Sequence, residues 1–176
     1  MQAIAPLASV TITTFLVIVI MRAAWHKLER FLETVGFAQG YGVVSEQWTA
    51  PIVRVLTAVE IGTVLALLLP GTRMPGAVVA GLLFTGYGLL MATALMRGRS
   101  EIDCGCGGAP QIVSGYTLLR NAILAALALI VAVLPAQAIG AVDAAAAIAA
   151  ALVLAAIYAV VEKLASHLPN IRAGES

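Results

Sequence analysis

The chain has 176 residues, of which 61% are hydrophobic and only 11% carry a charged side chain. Soluble domains carry about 25% charged residues, and a soluble fold of this size could not bury so much apolar surface, so we expect an integral membrane protein. Ten Lys and Arg face nine Asp and Glu, which gives a net charge of +1. This balance excludes the basic surface that nucleic-acid binding requires, and the low charge excludes a disordered chain.

Five apolar stretches are long enough to cross a bilayer, which requires about 20 helical residues. They cover about residues 7–24, 52–69, 75–96, 116–134 and 139–161. Backbone groups in lipid must be hydrogen-bonded, and none of the stretches alternates apolar and polar residues as barrel strands do. We therefore predict an all-α membrane bundle that forms a single domain over residues 1–176, with its first span retained as an uncleaved helix.

The long polar connection after the first span has a helical pattern of its own. Within residues 25–38, Trp25, Leu28, Leu32 and Val35 recur at spacings of three to four beside charged residues. This pattern predicts either an amphipathic helix lying on the membrane surface or an extension of the first helix beyond the membrane.

Basic residues are distributed unevenly between the two sides of the predicted bundle. With five spans, Arg73 lies on the side of the N-terminus and the other nine Lys and Arg lie on the opposite side. The positive-inside rule makes that second side cytoplasmic. A reactive thiol site also attracts positive charge for chemical reasons, so the asymmetry has a second explanation.

Polar side chains also occur inside the predicted spans. Glu60 is near the middle of the second span, Arg54 precedes it by six residues, and Arg120 and Asn121 lie about one turn into the fourth. Ionisable groups are costly in hydrocarbon and usually face a partner or a cavity. Two interpretations follow: an ion pair of Glu60 with Arg54 or Arg120 that locks the bundle, or a polar pocket for a quinone head group or a proton.

The connection between the third and fourth spans contains both cysteines, in the run Asp103-Cys104-Gly105-Cys106-Gly107-Gly108. Glycine lets the backbone bend sharply around both sulfurs. A disulfide across a single glycine closes a small, strained ring, which is easily reduced and of little use as a structural link. The pattern favours a redox-active pair, in which Arg97 and Arg99 would stabilise a thiolate and Asp103 would oppose it.

Two other interpretations of the Cys-Gly-Cys run stay open. Two thiolates at this spacing can hold Cu(I) or supply half of a zinc site, which His26 and His167 could complete. The loop could also be a non-catalytic part of a scaffold that holds a redox partner at the membrane. We assign no metal ligands from the sequence.

Several motifs besides the cysteines carry a resemblance to a known family. The third span ends in Arg-Gly-Arg, the Cys-Gly-Cys run follows, and Tyr116-Thr-Leu-Leu-Arg120-Asn121 opens the fourth span. Trp25-His-Lys27-Leu and Val59-Glu60 fit as well. Over about residues 10–134 the sequence resembles the MauE family of methylamine-utilisation proteins, within the DoxX-like membrane group. The aromatic of the family pattern Cys-Gly-Cys-Phe-Gly is missing here, where Gly107 is followed by Gly108, and the fifth span goes beyond the family's four-helix core.

The resemblance implies disulfide formation or electron transfer with a thioredoxin-like protein or a small thiol, in the maturation of a disulfide-containing protein. By motif position, the redox pair is Cys104 and Cys106, and the supporting polar set is Arg120, Asn121, Lys27 and Glu60. The resemblance also implies the inner membrane of a bacterium with the thiols facing the periplasm, opposite to the side that the charge distribution predicts. A membrane quinone is a candidate second electron carrier, and a homo-oligomer is compatible with the sequence.

Overall fold

The computed structural model describes residues 4–98, 112–134 and 139–173, with side chains described up to residue 166. Its helices in these ranges are α1 (Ile4–Glu29), α2 (Phe31–Gly40), α3 (Glu46–Leu68), α4 (Arg73–Met96), α5 (Gly115–Val133) and α6 (Ala141–Ala173). A single 3-10 turn, Pro70–Thr72, joins α3 to α4. No β-strand occurs in the described ranges, which confirms the predicted all-α class.

Five of the described helices, all except α2, are long and apolar enough to cross a membrane. The protein is therefore an integral membrane bundle with five candidate spans, as the sequence predicts. α1, α3 and α6 run several residues beyond the apolar stretches that predicted them, because charged residues at a membrane boundary can continue a helix when their side chains reach toward water.

The helices α1, α3, α4 and α5 form a four-helix core. α4 packs between α3 and α5, and α1 packs against both α3 and α5. α6 lies outside this core and packs on α1. Buried apolar side chains from all five long helices form one cluster, in which Leu16, Val64, Ala80, Leu124 and Ala151 are examples. The arrangement agrees with the expected four-helix core and additional fifth span.

Glycine allows α4 to approach its neighbours closely. A Cβ at Gly76 would lie 3.0 Å from Ala66, which shows how tightly the start of α4 turns back against the end of α3. A Cβ at Gly88 would lie 3.6 Å from the Cβ of Asn121 on α5. Such close backbone approach is typical of membrane helices that pack through small residues, and it brings Asn121 into the interior.

Residues 25–38 comprise the end of one helix and most of the next. α1 continues through Trp25 and Leu28 to Glu29, and after Arg30 the separate helix α2 begins. α2 packs mainly against α3, where the guanidinium carbon of Arg54 lies 5.1 Å from the ring centroid of Phe31. A cation over an aromatic ring at this distance is attractive, so Arg54 holds α2 against α3.

The connection after α2 folds onto the end of the bundle where α4 stops and α5 starts. Tyr41 is buried there in a small cluster with Met91 and Ala94 of α4 and with Val113, which directly precedes α5. The cluster fixes the chain on both sides of residues 99–111, which carry the two cysteines. We call this the cysteine end of the bundle. At the opposite end, Arg73 donates hydrogen bonds to the Ser9 hydroxyl and to the carbonyl of Leu134.

Candidate functional site

A buried ion pair joins the end of α1 to the middle of α3. Nζ of Lys27 lies 2.7 Å from Oε1 of Glu60, and the hydroxyl of Tyr87 on α4 donates to the same oxygen at 2.6 Å. Lys27 is 3% exposed and Glu60 is 1% exposed. The Lys27 ammonium also lies 5.3 Å from the centroid of the Tyr87 ring. We call Lys27, Glu60 and Tyr87 the Glu60 cluster.

The Glu60 cluster meets the requirements for keeping charge inside a membrane protein. A buried carboxylate is strongly unfavourable unless a cation and hydrogen-bond donors replace its water. Lys27 supplies the cation and a donor, and Tyr87 supplies a second donor. Both donors act on one oxygen, while Oε2 of Glu60 has no hydrogen-bond partner among the described residues. That oxygen remains available for a further polar contact.

A second buried cluster joins α5 and α6. NH1 of Arg120 donates to Oε1 of Glu162 at 2.7 Å, and NH1 of Arg22 on α1 lies 2.8 Å from Oε2 of Glu162. The Arg120 and Glu162 side chains are 6% and 4% exposed, whereas that of Arg22 is 38% exposed. We call Arg22, Arg120 and Glu162 the Glu162 cluster. It ties the outer helix α6 to the four-helix core.

The Glu60 cluster and Arg120 of the Glu162 cluster line one small chamber inside the bundle. Its volume is about 30 Å³, and its lining includes Lys27, Glu60, Tyr87, Arg120 and Asn121. A polar chamber of this size is large enough for water, which needs about 10–15 Å³. Charged and hydroxyl side chains of four core helices therefore line this chamber.

The comparisons with known proteins decide the family. Residues 5–135 match the family model described as "Methylamine utilisation protein MauE". This chain belongs to the MauE family. The resemblance inferred from the sequence motifs is thereby confirmed.

The relatives of this MauE-family protein cover most of its length. "Methylamine utilization protein MauE" of Paracoccus denitrificans is 33% identical over 131 residues, 73% of this chain and 70% of the relative. The protein of the same name from Methylophilus methylotrophus is 33% identical over 138 residues, 77% of this chain and 73% of the relative. That of Methylorubrum extorquens is 34% identical over 122 residues, 68% of this chain and 66% of the relative. No solved structure matches the chain.

The prediction that Glu60 pairs with Arg54 or Arg120 is wrong for this MauE-family protein. Glu60 pairs with Lys27 instead of Arg54 or Arg120. Arg54, six residues earlier, lies about 240° around a helix of about 3.6 residues per turn, so it is exposed toward α2. Arg120 turns toward α6, where Glu162 binds it. Glu60 thus does form a buried ion pair, with a different cation from the two expected, and a small chamber lies beside it.

Asn121 and Arg97, two further predicted site residues, have structural contacts. The Asn121 side chain is buried and donates to the carbonyl of Thr117 at 2.8 Å. Thr117 completes a capping box at the start of α5, since its hydroxyl accepts a hydrogen bond from the backbone N–H of the N-cap residue Ser114 at 3.0 Å. Arg97 is exposed directly after α4, and Gly98 has the positive φ that commonly ends a helix.

The predicted reactive residues Cys104 and Cys106 lie outside the described residues, as does Arg99. His26 is in the last turn of α1, and the side chain of His167 is not among those described. Within the described ranges, no three His, Cys, Asp or Glu side chains are grouped to hold a metal ion. The Cys-Gly-Cys pair and its metal alternative therefore stay predictions from the sequence.

Sequence reasoning missed Tyr87, Arg22 and Glu162 as site residues. Glu162 directly follows the last apolar stretch and was left outside the span. A signal was available, because Ala151, Ala155, Tyr158 and Glu162 recur at helical spacing along α6. That spacing predicts one face of the helix, and this face packs toward the core in the structure.

Proposed function

We propose that this MauE-family protein is a membrane thiol–disulfide oxidoreductase with Cys104 and Cys106 as its reactive pair. Its partner would be a thioredoxin-like protein or a small thiol, and its role the maturation of a disulfide-containing protein. The relatives are named methylamine utilization proteins, and we extend that context to this chain as part of the proposal.

The observation that carries the proposal is the position of the buried charge relative to the helix ends that flank the cysteines. Arg120 lies five residues after the start of α5 at Gly115, and Tyr87 lies nine residues before the end of α4 at Met96. These separations correspond to about 8 Å and 14 Å along the helix axes. Ionisable groups inside a membrane bundle mark a functional region by default, and here they lie toward the cysteine end.

The proposed exchange follows ordinary thiol–disulfide chemistry. A thiolate of the reduced partner attacks one sulfur of the Cys104–Cys106 disulfide, so that bond breaks as a mixed disulfide forms. The second thiolate of the partner then attacks the mixed disulfide. The partner leaves with its own disulfide, and the Cys104–Cys106 pair has gained two electrons and two protons. The reverse sequence returns them.

Thiol counting on purified protein tests the proposal directly, because Cys104 and Cys106 are the only cysteines of the chain. The protein is oxidised, incubated with reduced glutathione or reduced thioredoxin, quenched with acid, and labelled with a maleimide that changes its mass. We expect both thiols to become labelled together. Single Cys104→Ser and Cys106→Ser variants, incubated instead with oxidised glutathione, should release one reduced glutathione and stop at a mixed disulfide, which intact mass detects.

Three outcomes would contradict the proposed function. If partner oxidation by the Cys104→Ser/Cys106→Ser double variant equals that of the wild type, the pair is not the reactive group. Stoichiometric copper or zinc that protects both thiols from labelling would favour metal binding instead. Thiols that do not respond to oxidant or to glutathione would favour a scaffold without redox chemistry.

A further inference from the structure

An apolar groove lies between α5 and α6. Both helices pack on α1, and their backbones stay apart, although the Arg120–Glu162 ion pair links them at one point. The groove between them has a volume of about 410 Å³. Ile12 and Phe15 of α1 form its floor, and its walls include Ile123 of α5 and Ile157 of α6. This volume is in the range of about 300–1,000 Å³ that is typical of small-molecule sites.

One end of this largely apolar groove is lined by three residues that carry a polar group. Tyr116, Arg120 and Tyr158 line it together with the apolar residues. Tyr116 is the second residue of α5 and Arg120 follows one turn later, so the polar end lies toward the cysteine end of the bundle. The ring of Tyr158 packs edge-on against Phe15, with centroids 5.7 Å apart. The groove thus has two tyrosines and Arg120, which is bound to Glu162, at one end and an apolar path beyond them.

The groove and the polar chamber share a wall. Arg120, Leu124 and Tyr158 line both spaces. On the chamber side of this wall lie Lys27 and Glu60. A molecule in the groove is therefore separated from Lys27 and Glu60 by the side chains of this wall. A quinone suits such a position, because its ring carbonyls accept hydrogen bonds and its reduction consumes protons.

We propose that this groove binds a prenylated quinone, with the quinone ring at Tyr116, Arg120 and Tyr158 and the isoprenoid tail along the apolar walls. This inference rests on the proposed function and sets its direction. The reduced Cys104–Cys106 pair forms a disulfide and gives up two electrons and two protons. The quinone takes up two electrons and two protons and leaves as the hydroquinone.

Filling the groove tests the proposal. Ile157→Trp places a large ring in the groove, and Leu152→Trp is the matched control. Leu152 lies on the same helix and is 56% exposed, but it does not line the groove. The protein is reconstituted in nanodiscs, and two readouts use decylubiquinone as the probe. One is binding, measured by competition against a photoreactive quinone, and the other is its reduction by glutathione.

We expect Ile157→Trp to weaken both quinone binding and quinone reduction by about tenfold, and Leu152→Trp to match the wild type. Glutathione exchange at the cysteines should be unchanged in both variants, which shows that they fold. Equal quinone binding by Ile157→Trp and wild type would overturn the proposal. Labelling of the groove by a photoreactive phospholipid in place of the quinone would also overturn it. So would a shift of Ile157→Trp from a dimer to monomers, because the groove would then be an interface between two copies of the chain.

Failure of this inference and failure of the proposed function can be told apart. Quinone binding is read without the cysteines, so the Cys104→Ser/Cys106→Ser double variant should bind decylubiquinone as the wild type does. If that variant binds quinone and the wild-type thiols are inert, the groove stands and the thiol chemistry is wrong. If the thiols exchange with glutathione and no quinone binds, the proposed function stands and the groove assignment is wrong.

Discussion

Lys27 and Glu60 form an ion pair across 2.7 Å between the last turn of α1 and the middle of α3. The pair is almost fully buried, and Tyr87 from α4 donates to the carboxylate oxygen that Lys27 binds. Three helices of the four-helix core therefore meet at one oxygen atom. This arrangement ties α1, α3 and α4 together through contacts of their polar side chains inside the bundle.

Removing one partner of this pair should be far more harmful than removing both. Lys27→Met leaves the Glu60 carboxylate buried without its cation, and we expect a loss of about 3–5 kcal/mol in the free energy of unfolding. The double variant Lys27→Met/Glu60→Gln removes both charges and should recover most of that loss. Thermal unfolding in one detergent, analysed as a double-mutant cycle, measures the coupling.

Arg54→Met is the control for the Lys27 variants. Arg54 is a cation on the same helix as Glu60, but it is exposed and contacts the Phe31 ring. Its removal should cost about 0.5–1 kcal/mol. If Lys27→Met were no more destabilising than Arg54→Met, the buried pair would not be a stabilising contact in the membrane protein.

The two arginines that bind Glu162 should contribute unequally. Arg22 is 38% exposed, and an exposed ion pair contributes about 0–1 kcal/mol. Arg120 is 6% exposed and makes a buried contact, so Arg120→Gln should cost about 3–5 kcal/mol. We expect Arg22→Gln to unfold near the wild-type temperature and Arg120→Gln to unfold well below it. Equal losses for the two variants would contradict this division.

The spans were predictable because lipid imposes a length and a composition on any helix that crosses it. The presence of Glu60 and Arg120 inside the bundle was predictable for the same reason. Their partners were not, because partner choice depends on how each helix is rotated about its axis. Sequence spacing gives the rotation within one helix but not between two. Arg54 is close to Glu60 along the chain, yet it faces α2.

Tyr87 and Glu162 show two further limits of sequence reasoning. An aromatic residue inside an apolar span is ordinary core material by composition, so the hydrogen bond of Tyr87 to Glu60 leaves no sequence signal. Glu162 directly follows an uninterrupted apolar run. A span defined by that run ends at residue 161 and so does not include the buried Glu162. The cysteine pair is the opposite case, because its motif is clear in the sequence and lies outside the described residues.

Two glycines of α4 should respond in opposite ways to the same substitution. A Cβ at Gly76 would lie 3.0 Å from backbone and side-chain atoms of Ala66, whereas a Cβ at Gly86 would meet nothing within 4 Å. We expect Gly76→Ala to lower the free energy of unfolding by about 1–3 kcal/mol through overpacking. Gly86→Ala should raise it by about 0.4–1 kcal/mol by reducing chain entropy in the unfolded state. Thermal unfolding of the pair measures both, and a loss in Gly86→Ala would indicate that this face of α4 is packed.

Side-specific labelling should place the cysteines and the α3–α4 turn on opposite faces of the membrane. Gly71 is in that turn and has open space around it, so Gly71→Cys in the Cys104→Ser/Cys106→Ser background gives one accessible thiol. α4 is a single span between the two positions. A membrane-impermeant maleimide should therefore label Gly71→Cys in only one of two preparations, inverted vesicles or right-side-out vesicles. The same reagent should label the cysteines of the reduced wild type only in the other preparation. Labelling of both from the same side would contradict the five-span arrangement. Cytoplasmic labelling of the wild type would agree with the distribution of Lys and Arg, and periplasmic labelling would agree with a role in disulfide maturation.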